Sequence, residues 1–151
     1  MELVGSLQAA QGVVLDEASQ ALQRAHLAHY EAVGSDESRR RLDDLFALIR
    51  QCLTERTLVP INQYAERVAE ERFGAGFDIS EVLTAFNVLE EAIWRVVIAQ
   101  QPAQDLLESS GLIGTVLGSG KDALARQWVS LATKQHVTSL DLSALFQVAA
   151  N

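Results

Sequence analysis

Apolar residues in this chain recur at steps of three and four and almost never alternate with polar ones, and that regularity narrows the possible folds more than any other feature. No Val- or Ile-rich stretch keeps a period of two over a strand's length, and no Asn-Gly or Asp-Gly pair marks a hairpin turn. The pattern predicts an all-α fold.

From Asp16 to Val33, Ala18, Ala21, Leu22, Ala25, Ala28 and Ala32 trace one helical face, and Gly34 closes it as a C-cap would. Ser35 and Asp36 then offer N-cap oxygens to a second helix, whose stripe runs Leu42, Leu45, Phe46, Ile49, Cys52, Leu53 and ends near Thr57. Pro60 suits the first turn of a third helix, where its missing N–H would have no partner. Ile61, Tyr64, Ala65, Val68 and Ala69 face inward there, while Glu66, Arg67, Glu70 and Glu71 face water and allow an Arg67–Glu71 pair.

The sharpest local signal is the stretch ERFGAGFDISEVLTAFNVLEEAIW, residues 71–94. Gly74 and Gly76 stop one helix because glycine takes the left-handed conformation without steric cost. Asp78 and Glu81 have the spacing of a capping box for the next helix, with Phe77 and Val82 as its hydrophobic staple. That fourth helix, Ile79 to about Gln100, carries a core stripe of Ile79, Val82, Leu83, Phe86, Leu89, Ile93, Val96 and Val97. Val88, Ala92 and Trp94 form a second apolar strip, which points to a central helix or one shared with a second copy.

Beyond Pro102, Leu106 and Leu107 open a fifth helix, and Leu124, Trp128, Leu131 and Ala132 mark a sixth; the sequence leaves open whether they join through Ser119-Gly120. Gly111, Gly114 and Gly118 share one helical face, a candidate surface for close helix packing or dimerisation. The tail SLDLSALFQVAAN, residues 139–151, reads as a short amphipathic piece that could start a linker to an output module outside this chain. The expectation is a single domain over residues 1–151, a bundle of about six helices.

Composition agrees and excludes partners. At 151 residues, with 48% apolar and 21% charged residues, the chain is long enough for one buried core. Its 20 acidic residues against 12 basic ones give a net charge of −8, which repels phosphate backbones, so neither nucleic acid nor an anionic membrane is an expected partner. The basic run Arg39-Arg40-Arg41 is followed by Asp43 and Asp44 and reads as a solvated helix face. A single cysteine, the lack of a basic leader and the lack of any continuous apolar run near ~18 residues point to the cytoplasm.

Chemistry is hard to assemble. GTVLGSGKD resembles a phosphate-binding loop only superficially: the required glycine is Thr115, the required hydroxyl is Asp122, and no strand precedes it. His26 and His29 are three apart, but the third histidine, His136, is distant, and two ligands make no metal site. Cys52 lies on an apolar stripe, where a thiol behaves as a small hydrophobe. No serine occupies a nucleophile elbow and no carboxylate pair stands apart, so an enzyme, a metal and a cofactor are not expected. Tyr64, Phe86 and Trp94 are the candidate lining of a pocket for a small hydrophobic ligand, the alternative to a protein-interaction role.

The segment from Ser35 to Val97 resembles the N-terminal domain of the RsbT co-antagonist (RsbRD) family. The resemblance rests on Tyr64-Ala65, Arg72, the turn Gly74 to Gly76, the restart Ile79 to Leu83, and Trp94. It covers a little under half the chain. It implies a haem-free, globin-like, usually dimeric signal-input domain of bacterial signalling, including sigma-factor regulation. The implied output modules are anti-sigma antagonist domains, histidine kinases, cyclases or transcription regulators, attached or as partners. A haem-binding version would need an axial histidine on a central helix, and none lies between His29 and His136.

Overall fold

The computed structural model describes residues 3–139, and among them every regular element is a helix. The order is α1 (Leu3–Ala9), α2 (Gln11–Arg24), α3 (Ala28–Val33), α4 (Ser35–Glu55), α5 (Val59–Gly74), α6 (Ile79–Gln100) and α7 (Ala103–Ser139). The expected tail segment, residues 139–151, lies outside the described residues except for Ser139, the last residue of α7.

Three differences separate these helices from the expected six. A short α1 precedes the first periodic run, and that run breaks between Arg24 and Ala28. At the break His26 takes φ +50°, and Ala25, Ala28 and Ala32, expected inside, are exposed. The reason is Tyr30: the shift of phase buries its ring and packs Leu27 against the core, and that apolar burial offsets the three methyl groups left in water. Local helix propensity gives way to tertiary burial. The third difference is that the fifth and sixth helices are one.

The remaining ends follow local chemistry. Gly34, at φ +90°, separates α3 from α4, and Arg56 ends α4 in the left-handed conformation. Pro60 sits in the first turn of α5, as its spacing predicts. Glu71 pairs with Arg72 Nη1 instead of Arg67. In the basic run, Arg39 and Arg40 lie at the surface in pairs with Asp16 and Glu37, but Arg41 turns inward and is only 17% exposed.

α5 packs chiefly on α7 and α2 on α6, with α4 bridging both pairs. Phe46, Ile49, Ile61, Leu89, Ile93, Leu117 and Leu124 are among the fully buried side chains that fill the centre. α7 runs unbroken through Ser119-Gly120 because Gly120 marks a close helix crossing, not a break. A Cβ there would lie 2.9 Å from Ile61 Cγ1 and 3.4 Å from Phe86 Cε2. Ser119 Oγ donates to Asn62 Oδ1 at 2.8 Å and Lys121 Nζ to Glu90 Oε2 at 2.7 Å, so the apparent phosphate loop is instead a packed helical seam. At the other end Gln101 Nε2 donates to Ser6 Oγ at 3.0 Å, a buried link from the α6 terminus to α1.

Candidate functional site

The joint between α5 and α6 forms as its sequence predicts. Phe77 N–H donates to Arg72 C=O at 3.0 Å and Gly76 N–H to Phe73 C=O at 3.1 Å, the paired bonds of a Schellman stop, with Gly76 at φ +85°. Gly74, by contrast, is the last helical residue of α5 and has no positive φ. Asp78 Oδ1 accepts from Ser80 N–H at 2.8 Å and Glu81 Oε1 from Asp78 N–H at 3.0 Å, closing the capping box. Phe77 and Val82 are both buried.

The same corner holds α3. Glu81 Oε2 accepts from the His29 backbone N–H at 3.1 Å, and Oε1 meets His29 Nδ1 at 2.7 Å. Burial alone would raise the Glu81 carboxyl, but the N–H groups of Asp78 and His29 and the His29 ring outweigh it and hold the carboxyl below its usual range. The His29 ring stacks at 4.7 Å on Phe77, which Tyr30 meets edge-on at 5.3 Å. Arg72 lies 5.6 Å over the same Phe77 ring and is itself only 4% exposed.

Behind this cluster, between α3, α4, α5 and α6, is a cavity of about 20 Å³. Tyr64 and Phe86 both line it, so two of the three aromatic residues singled out in the sequence do come together. Trp94 does not. It lies eight residues along α6 from Phe86, about 12 Å along the axis, and packs against another part of the core. The space admits roughly one water-sized species and no hydrophobic ligand. Tyr30, Arg41 and Arg72 share its lining, and burial pushes the Tyr64 phenol up to about 12.

The second apolar strip of α6 is not a surface. Ala92 is 3% exposed and belongs to the core. Val88 and Trp94 are partly buried on flanks about 120° apart, since six residues at 100° each do not return to one face. Gly111, Gly114 and Gly118 do share a face of α7, and it points outward. A Cβ at any of the three would meet nothing within 4 Å, so they bring no helix of this chain close. Leu107, 85% exposed, continues their line by one turn.

Sequence reasoning missed a much larger depression elsewhere in the fold. Cys52, Leu53, Leu58, Val59, Leu112 and Val116 line a half-open groove of about 730 Å³ between the α4–α5 turn and α7. Arg56, Thr57, Asn62, Glu108 and Thr115 supply its polar groups. Its walls lie more than forty residues apart in sequence, so no local pattern announces it. Cys52 is buried beneath it, and burial pushes the thiol up, away from the reactive thiolate. Among the described residues no three His, Cys, Asp or Glu side chains are placed to hold a metal ion, and no helix is long and apolar enough to cross a membrane.

Comparison with protein-family models finds no match, and neither the curated proteins nor the solved structures yield one.

Proposed function

We propose that this chain is a non-catalytic signal-input domain of the RsbRD-like, haem-free globin-like kind, which homodimerises and controls an attached or partner output module in bacterial signalling. The observation that carries the reading is α7. Its 37 residues make a rod of about 55 Å, anchored by Ile113, Leu117, Leu124 and Trp128 in the core, and residues 132–135 are exposed beyond that anchor. A rigid helix rooted in a core and running out of it converts a small repacking into a displacement elsewhere. The output modules that suit such an input are a kinase, a cyclase, an anti-sigma antagonist domain or a transcription regulator.

The dimer surface in this reading is the outer face of α7. Leu107, Gly111, Gly114 and Gly118 leave a shallow, side-chain-poor strip onto which a second copy's α7 can lie about a two-fold axis. Sedimentation equilibrium tests it: the expected result is a monomer–dimer equilibrium, weakened by Gly114→Gln while the thermal unfolding midpoint of the dilute monomer is retained or raised. A strict monomer at high micromolar concentration overturns the dimer.

A second reading, a hydrophobic-ligand-binding domain, is favoured by the groove beside Cys52, whose volume suits a drug-sized apolar molecule. A thermal-shift screen with fatty acids, tetrapyrroles and nucleotides separates the two. A shift that Leu112→Glu abolishes supports ligand binding, and no shift with any class leaves the protein-interaction reading.

A further inference from the structure

The cavity beside Tyr64 is lined by two arginines whose carboxylate partners are not part of its lining. Arg72 Nε and Arg41 Nη1 are both buried without a hydrogen-bond partner, and both residues line the same space. A guanidinium cannot shed its proton, and a buried charged donor left unmatched is among the costliest defects a core can carry. The carboxylates that touch these arginines sit on the outer side: Glu71 meets Arg72 Nη1, and Glu37 meets Arg41 Nε at 3.2 Å. Neither lines the cavity, and no other carboxylate does.

The remaining polar lining adds donors. Tyr30, which lies close to the Arg72 charge, and Tyr64 bring two phenols to the lining. Ser38 Oγ already donates to the Tyr30 carbonyl at 3.3 Å. Leu42, Leu45 and the apolar side chains of α6 close the other walls. Two guanidiniums and two phenols around one small space call for an acceptor of single negative charge. At about 20 Å³ the space takes a single-atom species and excludes sulfate, phosphate or a carboxylate.

We propose that this cavity is a buried halide site, occupied by one chloride ion held between Arg41 and Arg72. The ion ties α4 to α5 at the place where α3 and the α5–α6 corner meet them, and the assignment does not depend on the dimer or on any output module.

The test uses the whole chain. Thermal unfolding in sodium chloride and sodium bromide is compared with sodium gluconate at equal ionic strength, so that general screening is common to all three salts. The expected result is a higher midpoint in the halides, rising about 4 °C for each tenfold increase in halide once the site nears saturation. A crystal soaked in bromide is expected to show one anomalous peak between Arg41 and Arg72. Arg41→Met, at the less buried of the two arginines, should abolish the halide dependence, and Tyr64→Phe should weaken it. Equal midpoints in chloride and gluconate, a water in place of bromide, or a halide response that survives Arg41→Met would each overturn the assignment.

Discussion

Two glycines six residues apart on the same helix should respond to the same substitution in opposite ways. Gly114 and Gly120 are both interior to α7, so replacing either by alanine removes the same backbone penalty, about 0.5–1 kcal/mol in favour of the helix. At Gly114 nothing lies within 4 Å of the new Cβ, and the whole gain should appear as stability. At Gly120 the new Cβ falls 2.9 Å from Ile61 Cγ1, in a residue with no exposure to water and no free side to move toward. Overpacking of that kind costs about 1–3 kcal/mol.

Because the propensity gain is common to both variants, the difference between them isolates the clash. For a chain of 151 residues, 1 kcal/mol moves the unfolding midpoint by about 3 °C, so Gly120→Ala should melt about 3–9 °C below Gly114→Ala. Circular dichroism of the two variants, diluted until each is monomeric, measures that gap, and Gly111→Ala and Gly118→Ala serve as further open-space controls. If Gly120→Ala is as stable as Gly114→Ala, the α5–α7 crossing is looser than described and Gly120 is not what sets it.

The corner supplies the next tests. Gly76→Val places a β-branched residue at φ +85° and should cost about 1–2 kcal/mol in urea unfolding; unchanged stability would mean the Schellman stop does not form. Glu81→Gln should destabilise the chain at neutral pH by about 1–3 kcal/mol, because three donors lose a charged acceptor. The sign of its pH dependence is fixed by the lowered carboxyl. Its contribution is present above the unfolded value of about 4.3 and is lost as pH falls through the lower folded value, so the variant's stability should fall less steeply on acidification than the parent's. Ser6→Ala leaves the buried Gln101 amide without its partner and should cost about 1–2 kcal/mol in the same assay, whereas a neutral result would mean water reaches that amide. Cys52 should react with a disulfide reagent only as fast as the chain opens, and fast labelling under native conditions would contradict its burial.

What was legible in the sequence was what neighbours in sequence decide. The bounds of α6, the capping box at Asp78, the left-handed Gly76 and Pro60 at the start of α5 all follow from side chains within one turn of where they act. The break at His26 did not, because Ala-rich helix formers fill both sides of it and only the distant corner, through Glu81 and Phe77, gives His29 and Tyr30 somewhere better to be. Ser119-Gly120 was ambiguous for a related reason. Glycine reads alike whether it ends a helix or lets a neighbour close, and the deciding atoms belong to Ile61 and Phe86.

The candidate site lay further from view. Tyr64 and Phe86 were singled out as aromatic, and they do share a cavity, but its character comes from residues the sequence assigned to other duties. Arg41 belongs to a run of three arginines whose other two members face water, and nothing within that run shows which one turns in. Arg72 sits beside charged Glu70 and Glu71, in a context that predicts a solvated helix end, and it is buried because α5 stops two residues later and folds Phe77 back over its guanidinium. The corner is therefore more than a change of direction for the chain. By closing over Arg72 it turns a surface charge into an interior one, and an interior guanidinium with a free N–H is a specific demand on chemistry that a helical joint alone would never make.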